Sequence, residues 1–186
     1  SSALEKVRQA IARIAPADST TLVLGETGVG KEMVAKLLHA QSRRRERPFV
    51  VVDCAALHEQ LLQSELFGHE KGAFTGADRL KHGLFEVGNS GTVFLDEAGE
   101  MSPEVQAKLL RVLETAEVRP LGGRGIQRVN VRLLTATNRA LPERVHQGLF
   151  RQDLYFRIRQ ATLQIPPLRE RLADVEPIAR HLLQCL

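Results

Sequence analysis

The segment Gly25-Glu26-Thr27-Gly28-Val29-Gly30-Lys31-Glu32 has the spacing Gly-x4-Gly-Lys. These residue types suit one task, holding a phosphate group. Glycines let successive backbone N–H groups turn inward around an anion where a side chain would block the approach, and Lys31 brings a full positive charge to the outer oxygens. A helix opening at Lys31 adds the positive end of its dipole. The general pattern places Ser or Thr after the lysine to help hold Mg2+, and here Glu32 stands in that position. A plain glycine turn ahead of a helix is the alternative reading; the lysine and the strand–loop–helix setting weigh against it.

A second group lies at the end of an apolar run, where Thr92-Val93-Phe94-Leu95 leads into Asp96-Glu97. Asp96 is suited to hold Mg2+ through its water shell, and Glu97 to orient or deprotonate an attacking water. Two solvated acids at a helix start would give the same letters. Leu133-Leu134-Thr135-Ala136-Thr137-Asn138 ends a further run in an amide. Asn138 can position water or contact a terminal phosphate, and it can equally cap a helix or a turn. Arg151 and Arg157 stand six residues apart. An arginine that reaches a γ-phosphate across a subunit boundary stabilises transition-state charge; on spacing only, these two read as surface partners of Asp153 or another carboxylate.

Such groups need a scaffold that brings them to one edge. Leu4, Val7, Ile11 and Ile14 share one helix face. Residues 21–24, 49–52, 92–95, 131–137 and 162–165 read as strands; 33–38, 61–67 and 103–116 read as helices, and the pattern turns helical again from Arg169. Near-continuous apolar strands separated by helices predict an α/β fold with a parallel sheet covered on both faces. In such a sheet the strand C-terminal ends meet at one edge, where ligands bind. The loop at 121–125 reads as a turn between short strands.

Composition narrows the class. The chain has 186 residues, 43% hydrophobic and 26% charged, which excludes a disordered tail and a fibrous protein. No apolar run reaches the roughly 18 residues a membrane span needs, and Ser1-Ser2-Ala3-Leu4-Glu5 carries neither a basic nor an apolar leader region. Cys54 and Cys185 make no disulfide framework, as expected of a reducing cytosol. A net charge of +4 permits contact with phosphate or acidic protein without indicating DNA binding. Arg43-Arg44-Arg45-Glu46-Arg47 has no interleaved aromatic and reads as a solvated loop. The six histidines show no metal-ligand spacing, so no zinc site is assigned.

Residues 25–32, the run Gly68-His69-Glu70-Lys71-Gly72-Ala73-Phe74-Thr75-Gly76-Ala77, residues 92–97, Thr137-Asn138, residues 150–157 and Pro166-Pro167-Leu168-Arg169-Glu170-Arg171 occur together and in this order. Together they resemble the AAA+ central domain of bacterial enhancer-binding proteins, the activators of sigma-54 RNA polymerase. The resemblance covers nearly the whole chain, and Gly72-Ala73-Phe74-Thr75-Gly76-Ala77 matches the family's signature loop without a change. It implies a P-loop AAA+ fold, a three-layer α/β/α sandwich on a five-stranded parallel sheet. It also implies ATP and Mg2+ as cofactors, ATP hydrolysis to ADP and phosphate, and a homo-oligomeric ring, hexamer or heptamer. The implied partner is the sigma-54 RNA polymerase holoenzyme in the cytoplasm, with no membrane role, and DNA contact through a domain this chain does not contain.

Residue by residue, the resemblance assigns ATP binding to Gly25 through Glu32; the family's loop ends in Lys-Glu, so Glu32 fits. Asp96 and Glu97 match the metal and water acids, Asn138 the first sensor with Thr137 beside it, and Arg151 and Arg157 the arginines that act in trans. Gly72 through Ala77 would touch the sigma factor, with Phe74 offering apolar area on an exposed loop tip hinged by Gly72 and Gly76. A second loop at 121–128 resembles the insertion that moves with the first. One position departs from the pattern. The family often has a switch Asn before Cys-Ala-Ala, and here Asp53 precedes Cys54-Ala55-Ala56; a carboxylate cannot donate an amide N–H to Glu97. Residues 1–168 are expected to form the nucleotide-binding subdomain and 169–186 the start of a helical lid. Two rivals stay open: an AAA+ motor acting on another protein target, and a non-hydrolysing module that binds nucleotide only to assemble.

Overall fold

The computed structural model describes residues 2–184. In chain order the elements begin with α1 (Ser2–Ile14), β1 (Thr21–Leu24), α2 (Lys31–Ala40), β2 (Phe49–Asp53) and α3 (Glu59–Phe67). There follow β3 (Gly68–His69), β4 (Lys81–His82), α4 (Leu84–Val87), β5 (Thr92–Asp96) and α5 (Pro103–Thr115). The last group is β6 (Glu117–Val118), β7 (Gln127–Arg128), β8 (Arg132–Thr137), α6 (Leu141–His146), α7 (Gln152–Ile158), β9 (Ala161–Gln164) and α8 (Val175–Gln184). Short 3-10 turns cover Ala98–Glu100, Leu168–Glu170 and Leu172–Asp174.

The expected parallel sheet forms in the order β2-β5-β8-β1-β9. Register pairs Thr21 with Leu134 and Leu24 with Thr137, and Asp53 with Asp96. Successive strand residues point to opposite faces, and the two cores follow that alternation. Leu22, Val93, Leu95 and Leu133 face a core built with α3, α5 and α7, including Leu66, Val105, Leu109 and Leu154. Val23, Phe94, Leu134 and Ala136 face the other, against Val7 and Ile11 of α1 and Val34 and Leu38 of α2. The result is the three-layer α/β/α sandwich. All five strands run the same way, so their C-terminal ends carry residues 25–30, Asp53, Asp96, Asn138 and the segment after Gln164 to one rim.

Helix ends have identifiable partners. Pro103 opens α5 and the Ser102 side chain caps it by accepting from the Val105 N–H. The buried Arg132 closes the end of α1, its guanidinium donating to the last carbonyl, Ile14 O, at 3.1 Å and to Ala15 O just beyond at 2.8 Å. The basic run at 43–47 is the solvated loop expected, except at Arg44. Arg44 is only 11% exposed in its side chain, forks onto Asp18, and also donates to the Gly91 carbonyl and to Asn130. It ties the α2–β2 loop to the bottom of the sheet. Cys54 is buried and reduced, with its thiol pushed up to about 12 by burial; Cys185 lies outside the described residues. Among the described residues no helix is long and apolar enough to cross a membrane.

Candidate functional site

The loop between β1 and α2 has the conformation its glycines foretell. Gly28 (φ 82°) and Gly30 (φ 101°) both occupy the left-handed region, where a side chain costs about 1 kcal/mol or more. Gly30 is the N-cap of α2, so the helix dipole is aimed into the loop. Lys31 follows and folds back over it. Its side chain is only 5% exposed, and Nζ donates to the carbonyls of Gly25 and Glu26, each at 3.2 Å. Its third partner is the Glu97 carboxylate, at 3.1 Å from Oε1.

Glu97 is the centre of the site. Its other oxygen, Oε2, accepts from the Asn138 backbone N–H at 3.3 Å, while the Asn138 amide donates to Thr27 Oγ1 at 3.0 Å. One carboxylate therefore touches the phosphate loop's lysine and the end of β8, and Asn138 closes the circuit back to the loop. The link between Asn138 and Thr27 is a contact the sequence does not announce. Glu97 also adopts left-handed backbone angles (φ 49°, ψ 43°), uncommon for a residue with a side chain. The Asp96 carboxylate stabilises that turn by accepting the Glu97 N–H at 2.9 Å.

Asp96 is held above the usual aspartate range, mainly by burial, with the charges of Glu97 and Asp53 adding to it and the Glu97 N–H and Lys31 opposing. The fold thus favours its neutral form. That contribution to stability is complete below the ordinary aspartate pKa and is lost as pH rises through the raised one, so at neutral pH the ionised carboxylate is a cost. Asp96→Asn should therefore raise the nucleotide-free melting temperature, by about 1–3 °C for a chain of this size, as scanning calorimetry at pH 7 would register. An unchanged or lower melting point would contradict that electrostatic account.

The donor chemistry fits a hard divalent cation. Asp96 and Glu97 present carboxylate oxygens at the rim, with the Lys31 ammonium paired to Glu97. Among the described residues no group of three ligating side chains could hold a metal alone. One carboxylate plus phosphate oxygens is the arrangement Mg2+ ordinarily takes, because it keeps most of its waters. Asp53 does not engage Glu97: its Oδ1 accepts from the Ala55 N–H at 2.9 Å and closes a local turn. Beside these groups lies a cleft of about 590 Å3 lined by Thr27, Cys54, Ala55, Leu57, Glu97, Glu100, Asn138 and Arg139.

Arg151 and Arg157 sit elsewhere. Arg151 forks onto Asp153 at 2.7 and 3.0 Å, and Arg157 donates to the Leu113 carbonyl at 2.8 Å. Neither reaches the phosphate loop of its own chain by these contacts. Beside Arg151, Phe156 is 60% exposed. The Phe74 loop closes on itself and rests its ring on the body of the domain. Gly72 N–H bonds the Ala77 carbonyl at 2.8 Å, and the half-buried Phe74 ring meets His69 edge-on at 5.0 Å between centroids. His69 is fixed in turn by Ser64, Oγ to Nδ1 2.8 Å. The second loop is stitched to the base of the first: Leu121 N–H donates to Gly68 O at 2.9 Å and Glu70 N–H to Leu121 O at 3.0 Å.

A parallel sheet of this order, a glycine loop with a buried lysine, an acid pair at the end of β5 and an amide at the end of β8 define a P-loop AAA+ domain. The sequence profile described as "Sigma-54 interaction domain" matches residues 1–164, and the chain belongs to that family. It is 51% identical to the transcriptional regulatory protein ZraR of Klebsiella oxytoca over 184 residues, covering 99% of this chain and 42% of that protein. It is 54% identical to the Nif-specific regulatory protein of Azotobacter vinelandii over 180 residues, covering 97% and 34%. The crystal structure of NtrX from Brucella abortus in complex with ADP superposes with a TM-score of 0.92 at 35% identity, over 99% of this chain and 40% of that one. The chain thus spans less than half the length of these relatives.

Proposed function

We propose that this domain binds Mg2+-ATP and hydrolyses it between neighbouring subunits of a ring, hexameric or heptameric, to remodel the sigma-54 RNA polymerase closed promoter complex in the cytoplasm. The observation that carries the reading is Glu97, whose two oxygens are engaged by Lys31 and by the Asn138 N–H. A triphosphate entering the loop competes for Lys31, which frees Glu97 Oε1 to accept a proton from water. Water oxygen bonds to the γ-phosphorus, the bond to the β-bridging oxygen breaks, and ADP and phosphate form. Asn138, tethered to Thr27, reports the γ-phosphate to β8. Bound Mg2+, which Asp96 would hold, supplies charge neutralisation at the phosphate oxygens. Relatives solved with ADP and with ATP support nucleotide binding here.

Arg151 and Arg157 supply positive charge to the neighbour's γ-phosphate. Their distance from their own loop and the exposed Phe156 beside them suit a subunit contact. Release of the γ-phosphate shifts Glu97 and Asp96, and β2 feels it directly, because Asp53 is in register with Asp96 and the Cys54 N–H bonds the Asp96 carbonyl at 3.0 Å. From β2 the movement passes through α3 to the Phe74 loop that touches sigma-54. In this reading a nucleotide-binding subdomain runs to residue 168 and a lid begins at residue 169. A cross-subunit site predicts that phosphate release per subunit rises with protein concentration, and flat specific activity over a hundred-fold dilution series would refute it.

A further inference from the structure

The segment after β9 returns to the phosphate loop with two arginines. Arg169 pairs with Glu26 through both terminal nitrogens, Nη1 to Oε2 at 2.8 Å and Nη2 to Oε1 at 2.7 Å, a fork-to-carboxylate geometry. Two residues on, the buried Arg171 donates from Nη2 to the Val29 carbonyl at 2.9 Å. Gly25 allows the same segment to come close, since a Cβ there would lie 2.8 Å from Val29 Cγ2 and 3.2 Å from the Ile165 carbonyl. One stretch of chain therefore holds the loop at Gly25, Glu26 and Val29.

Arg171 explains the grip; Arg169 needs a different explanation. Its guanidinium is 66% exposed and the Glu26 carboxylate 56%, and ion pairs so open to water add little to stability. What the pair changes is charge. Glu26 is the second residue of a loop built to hold an anion, and an unpaired carboxylate there repels a ligand with several negative charges. Arg169 cancels that charge, and it holds the Glu26 carboxyl below the usual range. Arg171 fixes where Arg169 stands, and by holding the Val29 carbonyl it fixes the orientation of the Val29–Gly30 peptide plane, whose N–H points the opposite way.

We propose that Arg169 is a positioning residue for the nucleotide's phosphates, acting by neutralising and orienting Glu26 at the mouth of the loop. The proposal rests on the reading of that loop as an ATP site. The test is ATP affinity and turnover in the native protein, Arg169→Gln, Glu26→Gln, the double variant and Arg169→Lys. Arg169→Gln should raise the ATP Kd about 3–10-fold at low salt, the loss falling on KM rather than kcat and shrinking as salt screens it. Removing the carboxylate as well should return the double variant to within about two-fold of native, and Arg169→Lys should keep most of the affinity. A double variant as weak as Arg169→Gln, or an Arg169→Gln that binds as the native protein does, overturns the proposal and leaves the site reading intact. Native protein that binds no ATP removes both.

Discussion

Glu97→Gln should hold ATP at least as tightly as the native protein and release almost no phosphate. The substitution is close to isosteric. The amide oxygen can still accept from Lys31, and the Asp96 carboxylate still takes the residue 97 N–H that stabilises the left-handed turn. What is lost is basicity, and a missing general base at an attacking water lowers kcat by about 10²–10⁴. Binding moves the other way. Lys31 is paired with the Glu97 carboxylate at 3.1 Å, with both side chains largely out of water. A triphosphate must draw it away. Against a neutral amide that competition is weaker, and one negative charge fewer faces the ligand. Equilibrium binding and rapid-quench phosphate release, run side by side, separate the two effects. Turnover within about three-fold of native would mean that the water is activated elsewhere.

Much of this site is legible because each part is a local pattern. The phosphate loop and the acid pair are read from contiguous residues, and the strands that carry them are apolar runs bounded by turns. Their convergence follows from the parallel sheet, since every catalytic candidate except the two arginines sits at a strand's C-terminal end. What escapes the sequence are contacts between remote segments. The ribbon β3–β4 is a two-residue pairing with no periodicity to detect, whereas the short strands β6 and β7 flank the glycine turn that the sequence does show. Arg44 reads as one charge among four, and only the distant Asp18 and Asn130 give it a buried role. Glu26 and Arg169 are 143 residues apart. Phe74 reads as an exposed tip because glycines flank it, while the structure parks its ring on His69, a residue whose own hydrogen bond to Ser64 is equally invisible in one dimension.

That parked ring frames the second large effect. Phe74→Ala should abolish stable engagement of sigma-54 and open-complex formation while the nucleotide site continues to turn over. The loop is closed by its own backbone, Gly72 N–H to Ala77 O at 2.8 Å and Ala77 N–H to Phe74 O at 3.0 Å, so its shape does not depend on the ring. The ring adds a removable contact: edge-on to His69, half-buried, on a loop whose glycines at 72 and 76 already have positive φ. Such a contact is worth roughly 0.5–1.5 kcal/mol, small enough to be exchanged for a partner's pocket when the loop rises. An aromatic anchor at the centre of an interface commonly carries 2–4 kcal/mol, so its truncation should weaken sigma-54 binding by about 30- to 1,000-fold. No hydrogen bond or ion pair links the Phe74 side chain to Lys31, Asp96, Glu97 or Asn138, so phosphate release should stay within about two-fold of native. Phe74→Tyr keeps the ring and its edge-on packing and should retain most of the binding. Sigma-54 binding that is equal in Phe74→Ala and native protein would assign the motor to a different target.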